Sequence, residues 1–209
     1  DKGETLCIVG ESGCGKSLTS HALLGLSPRI AKVQAAALSF DGTDLRKLRE
    51  RDWQKLRGLR LSMIFQDPMP SLNPSFTIGA LLTEVSRRHH PASAAQARDR
   101  AIEILQKVGI GNAEERLALY PHQLSGGLRQ RVMIAMGLIC GPDLLIADEP
   151  TTALDVNIQL QILRLLQDLK RDMGLGILFV THDLGLVARF ADRIAVMYAG
   201  GIVETAPVA

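Results

Sequence analysis

One eight-residue stretch constrains the fold more than any other. It is "GESGCGKS", Gly10 to Ser17, set between the apolar run "TLCIV" and the helical pattern "SLTSHALLGL". The stretch satisfies G-x-x-x-x-G-K-[ST] in full, and a strand before it and a helix after it are the context in which such a loop binds phosphate. Glycines let consecutive N–H groups wrap an anion, and the helix dipole favours negative charge at that end. Within Gly10, Glu11, Ser12, Gly13, Cys14, Gly15, Lys16, Ser17 and Leu18, the lysine can reach β- and γ-phosphate oxygens and the serine hydroxyl can ligate Mg²⁺. A glycine-rich turn with a chance lysine is the plain alternative, and the flanking elements count against it.

The rest of the chain alternates short apolar runs with helical patterns. "LSMIF", "DLLIADE", "GILFVTHD" and "RIAVMYAG" read as buried strands, which predicts an α/β fold with a mainly parallel sheet flanked by helices. "AALSF" with the turn Asp41-Gly42, and "RIAVMYAG" with "GIVE", read as strand pairs of a small, incomplete antiparallel portion. "SLTSHALLGL" reads as a helix closed by Ser27-Pro28, "DLRKLRERDWQKLR" as one charged, exposed helix, and "QDPMPSLNPSF" as a proline-rich loop. Ala97, Ala101, Leu105 and Val108 repeat at helical spacing. They predict a helical lobe over about residues 77–140 between two parts of a core, 1–76 and 141–209. Ile158, Ile162, Leu165, Leu166, Leu169 and Met173 predict an amphipathic helix that stops at Gly174.

A chain of 209 residues can bury one substantial core with a smaller lobe attached. Lys and Arg number 24 against 22 Asp and Glu, and a net charge of +2 argues against a nucleic-acid binder with a concentrated basic face. The densest basic run, Arg87-Arg88-His89-His90, is explained by a solvated helix end. Cys7, Cys14 and Cys140 lack C-x-x-C spacing and read as reduced cytosolic thiols. No secretory pattern opens the chain, and "VMIAMGLIC" is too short to span a bilayer. A soluble protein is expected, with any membrane role supplied by a partner. Asp1-Lys2-Gly3-Glu4 and "GGIVETAPVA" read as the cut ends of a longer polypeptide.

Asp148 and Glu149 close the run "LLIA", and ligands of open α/β sheets bind at the carboxyl ends of strands. Asp148 would hold Mg²⁺, and Glu149 would polarise an attacking water as general base. Gln66 and His182 are polar residues at two further strand ends, each weak evidence alone. "HQLSGGLRQR" offers a second phosphate-binding turn, with Ser125, Gly126 and Gly127 opening a helix.

In chain order, the P-loop, Gln66, "LSGGL", "LLIADE", "TALD" (Thr152 to Asp155) and His182 resemble the ATP-binding cassette (ABC) family. The resemblance covers essentially the whole chain and implies the P-loop NTPase fold. It also implies ATP and Mg²⁺ as ligands and roles for individual residues. Gln66 would contact Mg²⁺ and the lytic water and couple to the membrane partner, and His182 would contact γ-phosphate. Ser125, Gly126 and Gly127 would bind γ-phosphate, and Asp155 would bridge a subunit interface. In such a head-to-tail pair of cassettes, identical or paralogous, each signature turn closes over the other chain's P-loop. Two departures stand out. Leu128 follows Gly127 where the family often has Gln, and the aromatic residue that usually stacks adenine upstream of the P-loop is not seen. The tyrosines, Tyr120 and Tyr198, lie far downstream.

"FQDPMPSLNPSFTIG", "YPHQLSGG" and "LLIADEPTTALDV" are similar to ATPases of bacterial peptide and nickel importers, with Pro70 a minor departure. That subfamily implies permease subunits, indirectly a solute-binding protein, and a peripheral place on the cytoplasmic face of the inner membrane. The leading expectation is ATP hydrolysis energising oligopeptide or dipeptide import, with nickel or another small solute as the alternative. A soluble relative in DNA repair or translation is disfavoured. About 110 residues separate P-loop and signature without sustained heptads. A nucleotide sensor that does not hydrolyse is disfavoured by Glu149 and His182 together. Cys14, beside Lys16 in the loop, is expected to be a reactive thiol that nucleotide covers.

Overall fold

The run that precedes the glycine loop forms β1 (Thr5–Val9), an interior strand of a six-stranded sheet. The structure, a computed structural model, describes residues 1–28, 30–152 and 154–208. Ala153, within the "TALD" stretch, lies outside the described residues. The other strands of this sheet are β4 (Leu61–Ile64), β5 (Leu144–Asp148), β6 (Gly176–Thr181), β7 (Arg193–Tyr198) and β8 (Gly201–Pro207), in the order β4-β5-β6-β1-β7-β8. All pairs are parallel except β7–β8. A separate two-stranded sheet pairs β2 (Ser39–Phe40) with β3 (Thr43–Asp44) around the predicted Asp41-Gly42 turn.

Side chains alternate between two cores. Cys7, Val9, Leu145, Ala147, Ile177 and Phe179 join one cluster, whereas Ile8, Ile146, Leu178 and Val180 join the other. That alternation is the pleat of strands buried on both faces. The second cluster is covered by residues around α1 (Lys16–Leu23) and α2 (Glu50–Leu56), including Leu24 and Trp53. The first is covered by α8 (Val156–Met173), α9 (Leu184–Phe190) and the helices of the middle segment. Those are α4 (Ile78–His89), α5 (Ala94–Lys107), α6 (Ala113–Arg116) and α7 (Gly126–Leu138). Their starts are chemically marked: Thr77, Ser93 and Ser125 each accept a backbone N–H with a side-chain oxygen, and Ser93 with Gln96 forms a capping box. α7 reaches the sheet, where Gly137 lies beside Ser62 and Leu145, so helical segment and sheet share one core cluster. α8 ends as expected at Gly174, in a left-handed conformation at φ 64°.

Three local expectations are corrected. The charged segment 44–57 is two pieces, a 3₁₀ turn over Leu45–Lys47 and then α2, separated by extended backbone at Leu48 and Arg49. The break lets Leu45 and Trp53 both reach the same core, at 5% and 7% exposure. The first helix ends at Leu23, before Ser27-Pro28. Gly25 turns the chain at φ 63° directly against the Trp53 indole, and a Cβ there would lie 2.7 Å from the ring. Arg57 donates to the freed carbonyls of Leu24 and Gly25 at 2.7 and 2.8 Å. The proline-rich loop contains a one-turn helix, α3 (Pro68–Ser71), with the Ser71 hydroxyl donating to the Asp67 carbonyl. Among the described residues no helix is long and apolar enough to cross a membrane.

Candidate nucleotide-binding and catalytic site

Strand register brings the site together. Val9 stands level with Thr181, and Asp148 with Val180, so the loop after β1, the acids ending β5 and His182 after β6 leave the sheet along one edge. Gln66 follows β4 on the same edge. A cleft of about 930 Å³ opens there, lined by the loop from Gly10 to Leu18 apart from Cys14, by Gln66, Glu149, Thr152 and His182, and by Val9, Leu184 and Val196.

The loop needs its glycines. A Cβ on Gly10 would lie 2.1 Å from the Met197 carbonyl oxygen, and Gly13 and Gly15 adopt φ of 82° and 105°. Lys16, 4% exposed, donates from Nζ to the carbonyls of Gly10 and Glu11 at 2.8 and 2.9 Å. Those contacts hold the ammonium over the loop, 4.0 Å from Glu149 Oε1. Ser17 Oγ donates to Asp148 Oδ1 at 3.0 Å. Burial pushes the Asp148 carboxyl above its ordinary range, opposed by that hydroxyl and by the nearby His21. Asp148 and Ser17 also face a neighbouring groove beside His21, Phe65 and Gln66.

Glu149 is the convergence point. Its backbone sits in the left-handed region at φ 45°, with its N–H donated to Val180 of β6 at 2.9 Å. A non-glycine residue held there is strained, and such strain gathers at functional sites. Its carboxylate accepts the Thr152 hydroxyl at 2.8 Å and the Gln66 amide at 3.4 Å, with His182 Nδ1 at 3.3 Å. Three sequence-predicted residues, Gln66, Glu149 and His182, therefore meet at one carboxylate. Thr152, the first residue of "TALD", joins them as a contact the motif alone does not predict, its one local signal being a hydroxyl three residues beyond the acid.

Cys14 corrects an expectation. Its main chain belongs to the loop, and its N–H donates to the Glu11 carbonyl at 3.3 Å. Its side chain, however, is 8% exposed and packs in the core cluster with Ile8, Ala195 and Met197, and it does not line the cleft. It fills space beneath the loop, and the expected accessible thiol is not there.

The signature turn stands apart. Ser125 caps α7, accepting from Leu128 N–H at 3.4 Å, and the first turn follows with Gly126 exposed and Gly127 half-buried. A Cβ on Gly127 would meet Ile158 Cγ2 at 3.1 Å, so the turn sits against the start of α8. Asp155 caps α8 by accepting from Ile158 N–H at 3.0 Å. None of Ser125, Gly126, Gly127 and Asp155 lines the cleft of its own chain. Leu128, the departure from the common motif, packs half-buried against the core of the helical segment.

Comparison with known proteins agrees with this geometry. Residues 1–152 match the ABC transporter family. The chain is 54% identical over 209 residues to the oligopeptide transport ATP-binding protein OppD of Bacillus subtilis, covering all of this chain and 58% of that protein. It is 51% identical over 204 residues to the dipeptide transport ATP-binding protein DppD of Escherichia coli, covering 98% and 62%. It thus spans about three-fifths of the length of the curated relatives it matches. The dimeric, post-hydrolysis structure of the ATP-binding cassette MJ0796 bound to ADP and Pi superposes with a TM-score of 0.86 at 28% identity, covering 100% of this chain and 87% of that one. The cbiO1 structure from Clostridium perfringens, part of the transporter complex cbiONQ, gives 0.84 at 27% identity, covering 99% and 78%. Loop, acids, signature turn and fold have one common explanation, and the chain belongs to the ABC transporter family.

Proposed function

We propose that this chain is the ATP-hydrolysing cassette of a bacterial importer of oligopeptides or dipeptides. The observation that carries the hydrolytic part is the Glu149 carboxylate, held at the cleft by Thr152, Gln66 and His182 and 4.0 Å from Lys16. A carboxylate oriented by three neighbours beside a phosphate loop suits a general base acting on water. The peptide part rests on likeness to OppD and DppD.

The donor set fits ATP with Mg²⁺. Ser17 and Asp148 offer two hard oxygens, and among the described residues no group of three or more His, Cys, Asp or Glu side chains could hold a metal alone. That suits Mg²⁺, which takes one or two protein oxygens and completes its shell with phosphate and water. Bound there, the ion would neutralise charge on the phosphates. Lys16 and the loop N–H groups grip the β- and γ-phosphates, Glu149 takes a proton from water, and Gln66 and His182 orient both.

Two chains complete the site. The signature turn of Ser125, Gly126 and Gly127 lies outside its own chain's cleft, which fits a head-to-tail pair with an identical or paralogous cassette. In this reading residues 1–76 and 141–209 form the catalytic core, and 77–140 the lobe that presents the signature. Asp155 lies at the interface, permease subunits dock beside Gln66, and a solute-binding protein delivers the peptide. The cassette works peripherally on the cytoplasmic face of the inner membrane.

Glu149→Gln tests the reading. Geometry stays and basicity goes, so Mg-ATP binding should persist while turnover falls about 10²- to 10⁴-fold. ATP-dependent dimers should accumulate. Near-normal steady-state hydrolysis would remove Glu149 from this role.

A further inference from the structure

His21 is a half-buried side chain that neither the phosphate loop nor the catalytic reading uses. It stands on α1 one turn beyond Ser17, and residues four apart share a helix face. Its ring nitrogen Nδ1 lies 2.6 Å from the Ser17 carbonyl oxygen. A carbonyl can only accept, so Nδ1 carries the hydrogen and donates. The hydroxyl of the same serine donates to Asp148 Oδ1 at 3.0 Å. The main chain of Ser17 is thus tied to His21 and its side chain to Asp148.

The imidazole also borders the other residues expected at the metal. It is close enough to Asp148 to oppose the rise that burial imposes on that carboxyl. The Phe65 ring, directly before Gln66 in the chain, is tilted against it with centroids 6.1 Å apart. Ser17, His21, Phe65, Gln66 and Asp148 all face one groove of about 470 Å³ beside the cleft. His21 does not line the nucleotide cleft itself. It stands next to the metal donors and clear of the space for phosphates. Side chains so placed fix the orientation of metal ligands, and replacing them typically costs about 10- to 100-fold in metal affinity.

We infer that His21 is a positioning residue for Mg²⁺, holding Ser17 against Asp148 so that one ion can share both oxygens. The inference rests on the Ser17 and Asp148 metal reading above and adds a residue to it. His21 takes no place on the ion or on the nucleotide. Its replacement leaves the phosphate grip of Lys16 and the loop N–H groups intact and loosens only what the metal adds. A histidine that merely packs α1 against Phe65 would, when replaced, weaken nucleotide binding with and without metal alike.

The test measures binding rather than turnover, in the full-length cassette carrying Glu149→Gln so that ATP persists. Equilibrium dialysis gives the Kd for ATP in excess Mg²⁺ and in EDTA, and the ratio of the two is the tightening due to metal. In that background His21→Leu should shrink the ratio about tenfold or more, with the EDTA value unchanged. His21→Asn, whose amide can donate from the place of Nδ1, should recover most of it. Asp148→Asn, which removes a charged donor, should abolish the tightening almost entirely. Undiminished tightening in Asp148→Asn would overturn the metal reading and this inference with it. Tightening lost in Asp148→Asn but kept in His21→Leu would overturn the inference alone. So would a His21→Leu variant that binds ATP worse to the same extent in both conditions, or a His21→Asn variant as impaired as His21→Leu.

Discussion

The edge of the sheet and the N-terminus of α7 both offer phosphate-binding chemistry, and they are built differently. At the sheet edge the lysine, the hydroxyl and the acids are engaged with one another within the chain: Lys16 on loop carbonyls, Ser17 on Asp148, Glu149 among Thr152, Gln66 and His182. At α7 the Ser125 hydroxyl caps its own helix, Gly126 is exposed, and Gly127 lies half-buried against Ile158. The first region is assembled within one chain, and in the proposed head-to-tail pair the second would serve the other chain's site. The difference teaches that possession of a phosphate-binding motif does not locate a reaction, and neighbouring groups do.

The largest effects should come from breaking each region separately. Lys16→Ala and Ser125→Arg should each lower hydrolysis at least about a hundredfold, the scale of losing one oriented donor. Mixed, the two inactive variants form one intact composite site, and activity should return toward a quarter of wild type at equal ratio. No rescue, with mixed dimers verified by cross-linking, would place both motifs in one chain's site.

A second contrast compares the glycines. Gly10→Ala drives a methyl into the Met197 carbonyl at 2.1 Å, a backbone atom that cannot swing away. Gly127→Ala meets the Cγ2 methyl of Ile158 at 3.1 Å, a side-chain contact that needs to give by only a few tenths of an ångström. The first should cost about 3 kcal/mol or more and the second under about 1 kcal/mol, read from denaturant melts. Equal losses would mean that the signature turn is as tightly enclosed as the loop.

Thr152→Val probes orientation without touching the base itself. Losing a hydrogen bond to a carboxylate is worth about 1.5–3 kcal/mol, so kcat should fall about ten- to a hundredfold with KM for ATP little changed. A rise in KM at constant kcat would make Thr152 a binding residue instead.

The smallest effect lies away from both regions. Asp192 accepts the Thr5 N–H at 2.6 Å and is bridged to Lys170 of α8. Burial raises its pKa, but the Lys170 and Thr5 hydrogen bonds outweigh it and hold the carboxyl below the ordinary 3.8. A depressed folded pKa gives stability that is present above the unfolded value and lost as pH falls through the folded one. Wild type should therefore outlast Asp192→Asn in melts at pH 6, with the gap closing below about pH 4. A gap that widens with acid would reverse the assignment.

Much of the site was legible because its chemistry is contiguous. Gly10 to Ser17 and Asp148-Glu149 declare themselves by residue type, and the apolar runs before them announce the strands. What joins them is register between strands distant in sequence, such as Asp148 level with Val180, and no local pattern encodes that. The contact of Thr152 with Glu149 depends on a strained turn at φ 45°, which a residue list does not show. The segment 44–57 misled because its charges imply one exposed helix, while burial of Leu45 and Trp53 on one core required a break. Cys14 misled for a similar reason: membership of a loop says nothing about which way a side chain turns.

The strand order has a consequence for how the molecule comes into being. β1, with the phosphate loop at its end, lies between β6 and β7, which are encoded roughly 170 residues later. At ribosomal speeds of about 5–20 residues per second, β1 waits on the order of 10–30 s for its neighbours. During that interval α4 and α5, which pack on each other from adjacent sequence, can fold by local contacts. The helical segment can therefore be ordered while the cleft at the sheet edge is still incomplete, because the cleft waits for β6 and β7 to enclose β1.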